Sequence, residues 1–170
     1  MANRPPRLPE FPYIGPNRYF VTVCTRSRSP VFVDIECGTH IVQQFLRLAS
    51  EHGFEVIAYC VMTDHFHVLV EGQLDDAALK KLMHRWKQAT GHWWKQRGHE
   101  TSLWQEGYFD RILREKDLTQ AVVHYIVANP LRAGLVSDLH DYQLVGSGSY
   151  DLDALLAAGL DWEPPWHRRV

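Results

Sequence analysis

Residues 19–25 read Tyr-Phe-Val-Thr-Val-Cys-Thr, β-branched or aromatic at nearly every position, which predicts a strand. Within 39–52 the apolar residues Ile41, Val42, Phe45, Leu48 and Ala49 recur at helical spacing, and Gly53 is placed to cap the end. Residues 54–62 form a second strand and Thr63-Asp64 a tight turn. Residues 65–71 return as a third strand that closes a hairpin and stops at Gly72. Asp75 is suited to cap a long helix whose apolar stripe is Leu79, Leu82, Met83, Trp86 and Trp93. Residues 108–114 can make a fourth strand. A second helix runs from near Asp117 to Asn129, where Pro130 pushes its predecessor out of helical geometry. Beyond Asp141 the pattern thins to a Gly/Ser stretch, a helix over 151–158 and a Trp/Pro tail.

The order β-α-β-β-α-β-α with a central hairpin is the ferredoxin-like split pattern. The expected fold class is α+β, one sheet with helices on one face and chemistry on or beside the open one. Residues 1–18 carry Pro5, Pro6, Pro9, Pro12 and Pro16 with Arg4, Arg7 and Arg18 between them, which favours an extended arm. The expected division is this arm, a domain over 19–142 and an extension over 143–170.

At 170 residues with 45% apolar content, the chain can bury a core without disulfides or structural zinc. Cys24, Cys37 and Cys60 share no metal-ligand spacing and read as thiols of a reducing compartment. A net charge of −2 argues against binding nucleic acid through bulk charge and leaves a local basic face open. No apolar stretch is long enough for a signal core or a membrane span, so the expected location is the cytoplasm.

Residues two apart on a strand share a face, about 6.5–7 Å from each other. His65 and His67 therefore project together, while Phe66 and Val68 point the other way, toward the expected helix layer. Two imidazoles so placed can grip a divalent cation if a third ligand arrives from elsewhere. The spacing also fits two surface histidines on an exposed strand, the commoner arrangement. Downstream, Tyr125 and Asn129 are four apart on a helix, with Cβ atoms about 5–6 Å from each other. Leu118, Val122 and Ile126 lie near that stripe and Val123 and Val127 on the far side, so the helix should be largely buried. Taken alone, this pattern reads as a core tyrosine bonded to a carbonyl and an amide capping the helix end.

Together the two features resemble the single-tyrosine HUH transposases, named for a His-hydrophobe-His signature, and most closely the REP-associated tyrosine transposases. The resemblance runs over most of 7–142. It takes in Arg18-Tyr19-Phe20-Val21-Thr22, the hairpin from Ala58 through His65-Phe66-His67 to Val70, and Trp104-Gln105-Glu106-Gly107-Tyr108-Phe109-Asp110. The last block runs from Tyr125 through Asn129-Pro130-Leu131-Arg132 to Val136. Thr63-Asp64 stands where the family usually has Pro-Asn or a similar pair, a departure expected to alter only a turn.

The resemblance implies that 19–142 is a catalytic domain. It makes Tyr125 a nucleophile that forms a 5′-phosphotyrosine link to DNA, and His65, His67 and Asn129 ligands of Mg²⁺ or Mn²⁺. Imidazole ligands suit manganese somewhat better than magnesium. The implied partner is single-stranded DNA bearing hairpins of the REP-palindrome kind, met in the bacterial nucleoid by a monomer or homodimer. Candidate phosphate contacts are Arg26, Arg28, Lys80, Lys81, Arg85, Lys87, Arg111 and Arg114; no acidic residue falls between Lys80 and His99. Trp86 and Trp93 fit the core better than a base-stacking surface. Two further readings compete. One is a hairpin-binding regulator that does not cut; the other is a small zinc hydrolase with Glu71 as its base.

Overall fold

The computed structural model describes residues 11–114 and 116–158, with side chains from 119 onward after the gap. Most of the proline-rich arm, including Arg4 and Arg7, and the Trp/Pro tail lie outside the described residues. Four expected strands form: β1 (Arg18–Cys24), β2 (Phe54–Val61), β3 (His65–Gly72) and β4 (Phe109–Leu113). A fifth, β5 (Val145–Ser147), forms in the Gly/Ser stretch where no strand was expected. The antiparallel sheet has the order β4-β1-β3-β2-β5. β3 thus slots between β1 and β2, as the split pattern requires.

Helices α1 (Ile35–Glu51) and α2 (Leu79–Gln96) cover one face. Phe45, Phe66, Val68, Val70, Leu82 and Trp86 form the core beneath them. Trp86 is fully buried and donates its indole N–H to the Ile41 carbonyl (3.1 Å), which makes it a core residue. The opposite face is not bare, which corrects the expectation that all helices share one side. α3 (Lys116–Val127) lies across it, and Val122, Val123, Tyr125 and Ile126 pack on Phe20, Ile57, Cys60 and Leu69. Leu152 and Leu155 of α5 (Leu152–Ala157) complete this second core, so the near-continuous apolar character of α3 reflects burial on both sides.

Three local departures have physical causes. α2 begins at Leu79, not after Asp75, because residues 77–79 are drawn extended: Gly15 N–H donates to Ala77 O, Leu79 N–H donates to Tyr13 O, and Ile14 bridges Ala78. Gly72 leaves room for that crossing, since a Cβ there would collide with the Gly15 carbonyl. Pro130 does not halt the chain's helical course. A short helix, α4 (Asn129–Arg132), restarts after Ala128 with proline in its first turn, where the missing N–H costs no bond. Third, β2 carries a bulge between Val56 and Ala58. It sends both Ile57 and Ala58 to the α3 side and returns Tyr59 and Val61 to the α1/α2 side.

Among the described residues no helix is long and apolar enough to cross a membrane. Replacing Trp86 with alanine removes the centre of the first core. Trp86→Ala is expected to lower the unfolding free energy by about 3–5 kcal/mol, read from urea denaturation followed by fluorescence of the remaining tryptophans.

Candidate functional site

The pleat of β3 sends His65, His67 and Leu69 to the α3 face. Antiparallel pairing sets Thr22 directly opposite His67, and Phe20 two residues further along β1. His67 is 4% exposed, yet both ring nitrogens have partners: Nδ1 lies 2.8 Å from Thr22 Oγ1 and Nε2 lies 3.0 Å from His65 Nε2. The His65 Nδ1 is 2.6 Å from Asp64 Oδ1. Each imidazole is thus anchored through Nδ1, and the two Nε2 atoms converge.

α3 brings Tyr125 onto this pair. Its ring, 1% exposed, lies 5.9 Å from the His67 ring and 6.1 Å from Phe20, both edge-to-face. Phe20 in turn stacks on His67 at 5.5 Å. The exposed Arg132 sets its guanidinium 4.8 Å from the centre of the Tyr125 ring, a cation–π contact. Asn129 donates Nδ2–H to the Tyr125 carbonyl (2.8 Å), the helix-capping role expected from the pattern alone. Burial holds the neighbouring His124 below its ordinary pKa, with help from the charge of Arg132. Burial likewise pushes the Cys60 thiol far up, so it behaves as a small apolar group on this face.

Among the described residues no group of three or more His, Cys, Asp or Glu side chains gathers to hold a metal. The spacing of the two imidazole nitrogens is nevertheless compatible with a divalent cation. Right-angled bonds of about 2.1 Å put adjacent octahedral ligands about 3.0 Å apart, and the two Nε2 atoms are separated by 3.0 Å. Glu71 does not join them. It lies about 20 Å along the strand from His65 and pairs with Arg18 Nε at 3.0 Å, which removes the hydrolase reading's candidate base.

The candidate cations divide between the two sheet faces. Exposed Arg111 lies opposite Phe20 on the tyrosine side, and exposed Arg114 follows the end of β4. On the other side, Arg26, Lys87, His92 and Lys95 line a groove of about 810 Å³ walled by residues 102–107. A second hollow of about 440 Å³, lined by Lys80, His84 and Lys87, continues along α2. Lys81 and Arg85 are exposed on α2 outside both hollows. Lys87 also ties down the wall by donating to the Gln105 and Gly107 carbonyls, each at 2.8 Å. Arg28 is drawn away from the groove: Nε meets Asp64 Oδ2 at 2.9 Å and Nη1 donates to Cys24 Sγ. Asp64 therefore does more than alter a turn. Sequence reasoning missed Asp64, Thr22, Phe20 and Arg132 as site neighbours. For Asp64 a signal existed, a carboxylate directly beside the His-x-His pair.

A family model described as "Transposase IS200 like" matches residues 17–129, and the chain belongs to this family of transposases. A Haemophilus influenzae protein named as a REP-associated tyrosine transposase is 26% identical over 139 residues, 73% of this chain and 76% of that protein. The fold is that of a solved REP-associated tyrosine transposase bound to a REP hairpin, with a TM-score of 0.69, 21% identity and 90% of each chain covered.

Phenylalanine at position 125 would keep the ring contacts with Phe20 and His67. Tyr125→Phe is therefore expected to change the unfolding free energy by no more than about 1.5 kcal/mol, the scale of one hydrogen bond, in a urea titration.

Proposed function

We propose that this chain cleaves and rejoins single-stranded DNA next to hairpins of the REP-palindrome kind, by transesterification through Tyr125. The observation that carries the reading is the packing of the Tyr125 ring 5.9 Å from His67, whose Nε2 converges with that of His65. The phenol oxygen attacks the scissile phosphorus, a P–O bond forms to tyrosine, and the bond to the 3′ oxygen breaks. The phenolic proton leaves to solvent, and the departing 3′ oxygen takes one up. The strand's 5′ phosphate stays on the enzyme, and a later 3′-hydroxyl reverses the step without a nucleotide cofactor.

A free phenol ionises near pH 10, so Tyr125 needs help at neutral pH. His65, His67 and the Asn129 carbonyl would hold Mg²⁺ or Mn²⁺, which when bound neutralises charge on the phosphoryl oxygens. His67, inside an apolar wall of Phe20 and Leu69, limits water around the reacting phosphate.

The groove along α2 supports a track for the DNA backbone. Lys80 and Lys95 are about 22 Å apart on one helix, roughly the reach of several nucleotides. Arg26 lines the groove, and two residues further on Arg28 pairs with Asp64, the neighbour of His65 in sequence.

Two measurements test this. Incubating the protein with end-labelled hairpin-bearing single strands from its own genomic flanks and Mn²⁺ should yield a protein–DNA adduct on denaturing gels. Tyr125→Phe should reduce that adduct to background. Tight hairpin binding with no adduct would instead assign the chain to binding without cleavage. In filter binding, Lys95→Ala should weaken hairpin affinity evenly across sequences and lower the salt-dependence slope by about 1.

A further inference from the structure

The turn at 26–28 holds two consecutive non-glycine residues in the left-handed region, Ser27 (φ 55°) and Arg28 (φ 56°). Such backbone persists only where surrounding contacts over-determine it. Three of the contacts that hold this turn run to one residue, Asp64. Its carbonyl accepts from Thr25 N–H (2.9 Å) and lies 3.0 Å from Thr25 Oγ1, and its carboxylate meets Arg28 Nε through Oδ2. The remaining carboxylate oxygen, Oδ1, faces His65 Nδ1 at 2.6 Å.

A carboxylate only accepts, so the proton of a neutral His65 must sit on Nδ1, leaving Nε2 with a lone pair. His67 differs, because its Nδ1 partner is the Thr22 hydroxyl, which can donate or accept. With a proton on Nε2, His67 donates to His65 Nε2 across 3.0 Å while Thr22 donates to Nδ1. With a proton on Nδ1, His67 donates to Thr22 and turns a second lone pair toward the first. A carboxylate in place of Thr22 would forbid the first arrangement, and an aliphatic residue would support neither.

We infer that Asp64, steadied by Arg28, and Thr22 are positioning residues that set the imidazole tautomers, fixed at His65 and switchable at His67. The pair can then receive a divalent cation by relocating one proton on His67, with no change in the pair's charge. Arg28, expected among the phosphate contacts, thus serves the histidines. The cation part rests on the function proposed above; the tautomer part does not.

The full-length chain, ¹⁵N-labelled at histidine and stripped of metal with EDTA, reports both tautomers by long-range ¹H–¹⁵N correlation at about pH 8, above the ordinary imidazole range. The His65→Gln spectrum identifies the His65 signals. Wild type should show His65 protonated at Nδ1. Asp64→Asn, whose amide can turn its NH₂ toward the ring, should shift His65 toward the Nε2–H form and weaken Mn²⁺ binding in calorimetry about 10–100-fold. Arg28→Gln, at a half-exposed side chain that leaves the core intact, should move both readouts in the same direction by less. Thr22→Val should also weaken Mn²⁺ binding, and Thr22→Ser should restore it. The inference is overturned if wild-type His65 carries its proton on Nε2, or if Asp64→Asn and Arg28→Gln leave tautomer and affinity unchanged. A wild type that shows the Nδ1–H form, loses it in Asp64→Asn and binds no Mn²⁺ would uphold the role of Asp64 and sink the metal reading.

Discussion

The placement of β3 between β1 and β2 governs everything else at this site. Hydrogen bonded on both edges, the strand cannot slip by one residue without turning Phe66, Val68 and Val70 out of the α1/α2 core and His65 and His67 into it. The same pairing delivers Thr22 to His67 and stacks Phe20 on its ring. A histidine pair on an edge strand would lack one of these neighbours and would be more hydrated.

Burial of polar groups on the α3 face follows from this. An imidazole inside an apolar layer is tolerated only when its nitrogens are satisfied, and His67 achieves this through Thr22 on one side and His65 on the other. α3 then closes the layer with Tyr125. Because that helix is apolar around nearly its whole circumference, it needs the sheet beneath it and α5 outside it, which gives the C-terminal segment a structural role in holding the tyrosine.

Basic residues are organised by the same sheet. The α2 groove lies on the face opposite the tyrosine, and the two regions approach each other at the end of β1, where residues 25–29 touch both the 102–105 segment and Asp64. Arg28 sits at that junction, paired inward, while Arg26 is exposed beside the groove. A net negative chain thus carries, along one helix, a run of positive charge with no acidic residue in it, a distribution that overall charge does not reveal.

Much of this was legible before any coordinates. The strand character of β1 and β3, the side-by-side histidines, the buried character of α3 and the core role of Trp86 follow from residue type, spacing and polarity, because they are properties of a single element. What periodicity cannot express is which distant backbone runs beside which. The contact of residues 13–15 with 77–79 delayed the start of α2, and the pairing with β2 made a strand of 145–147. The bulge that re-phases Ile57 and Ala58 and the crossing of α3 over the second sheet face arise in the same way. The Asp64–Arg28 and Thr22–His67 pairings were hidden for the same reason. Their members lie 36 and 45 residues apart along the chain, and only the closed sheet brings those segments within hydrogen-bonding reach.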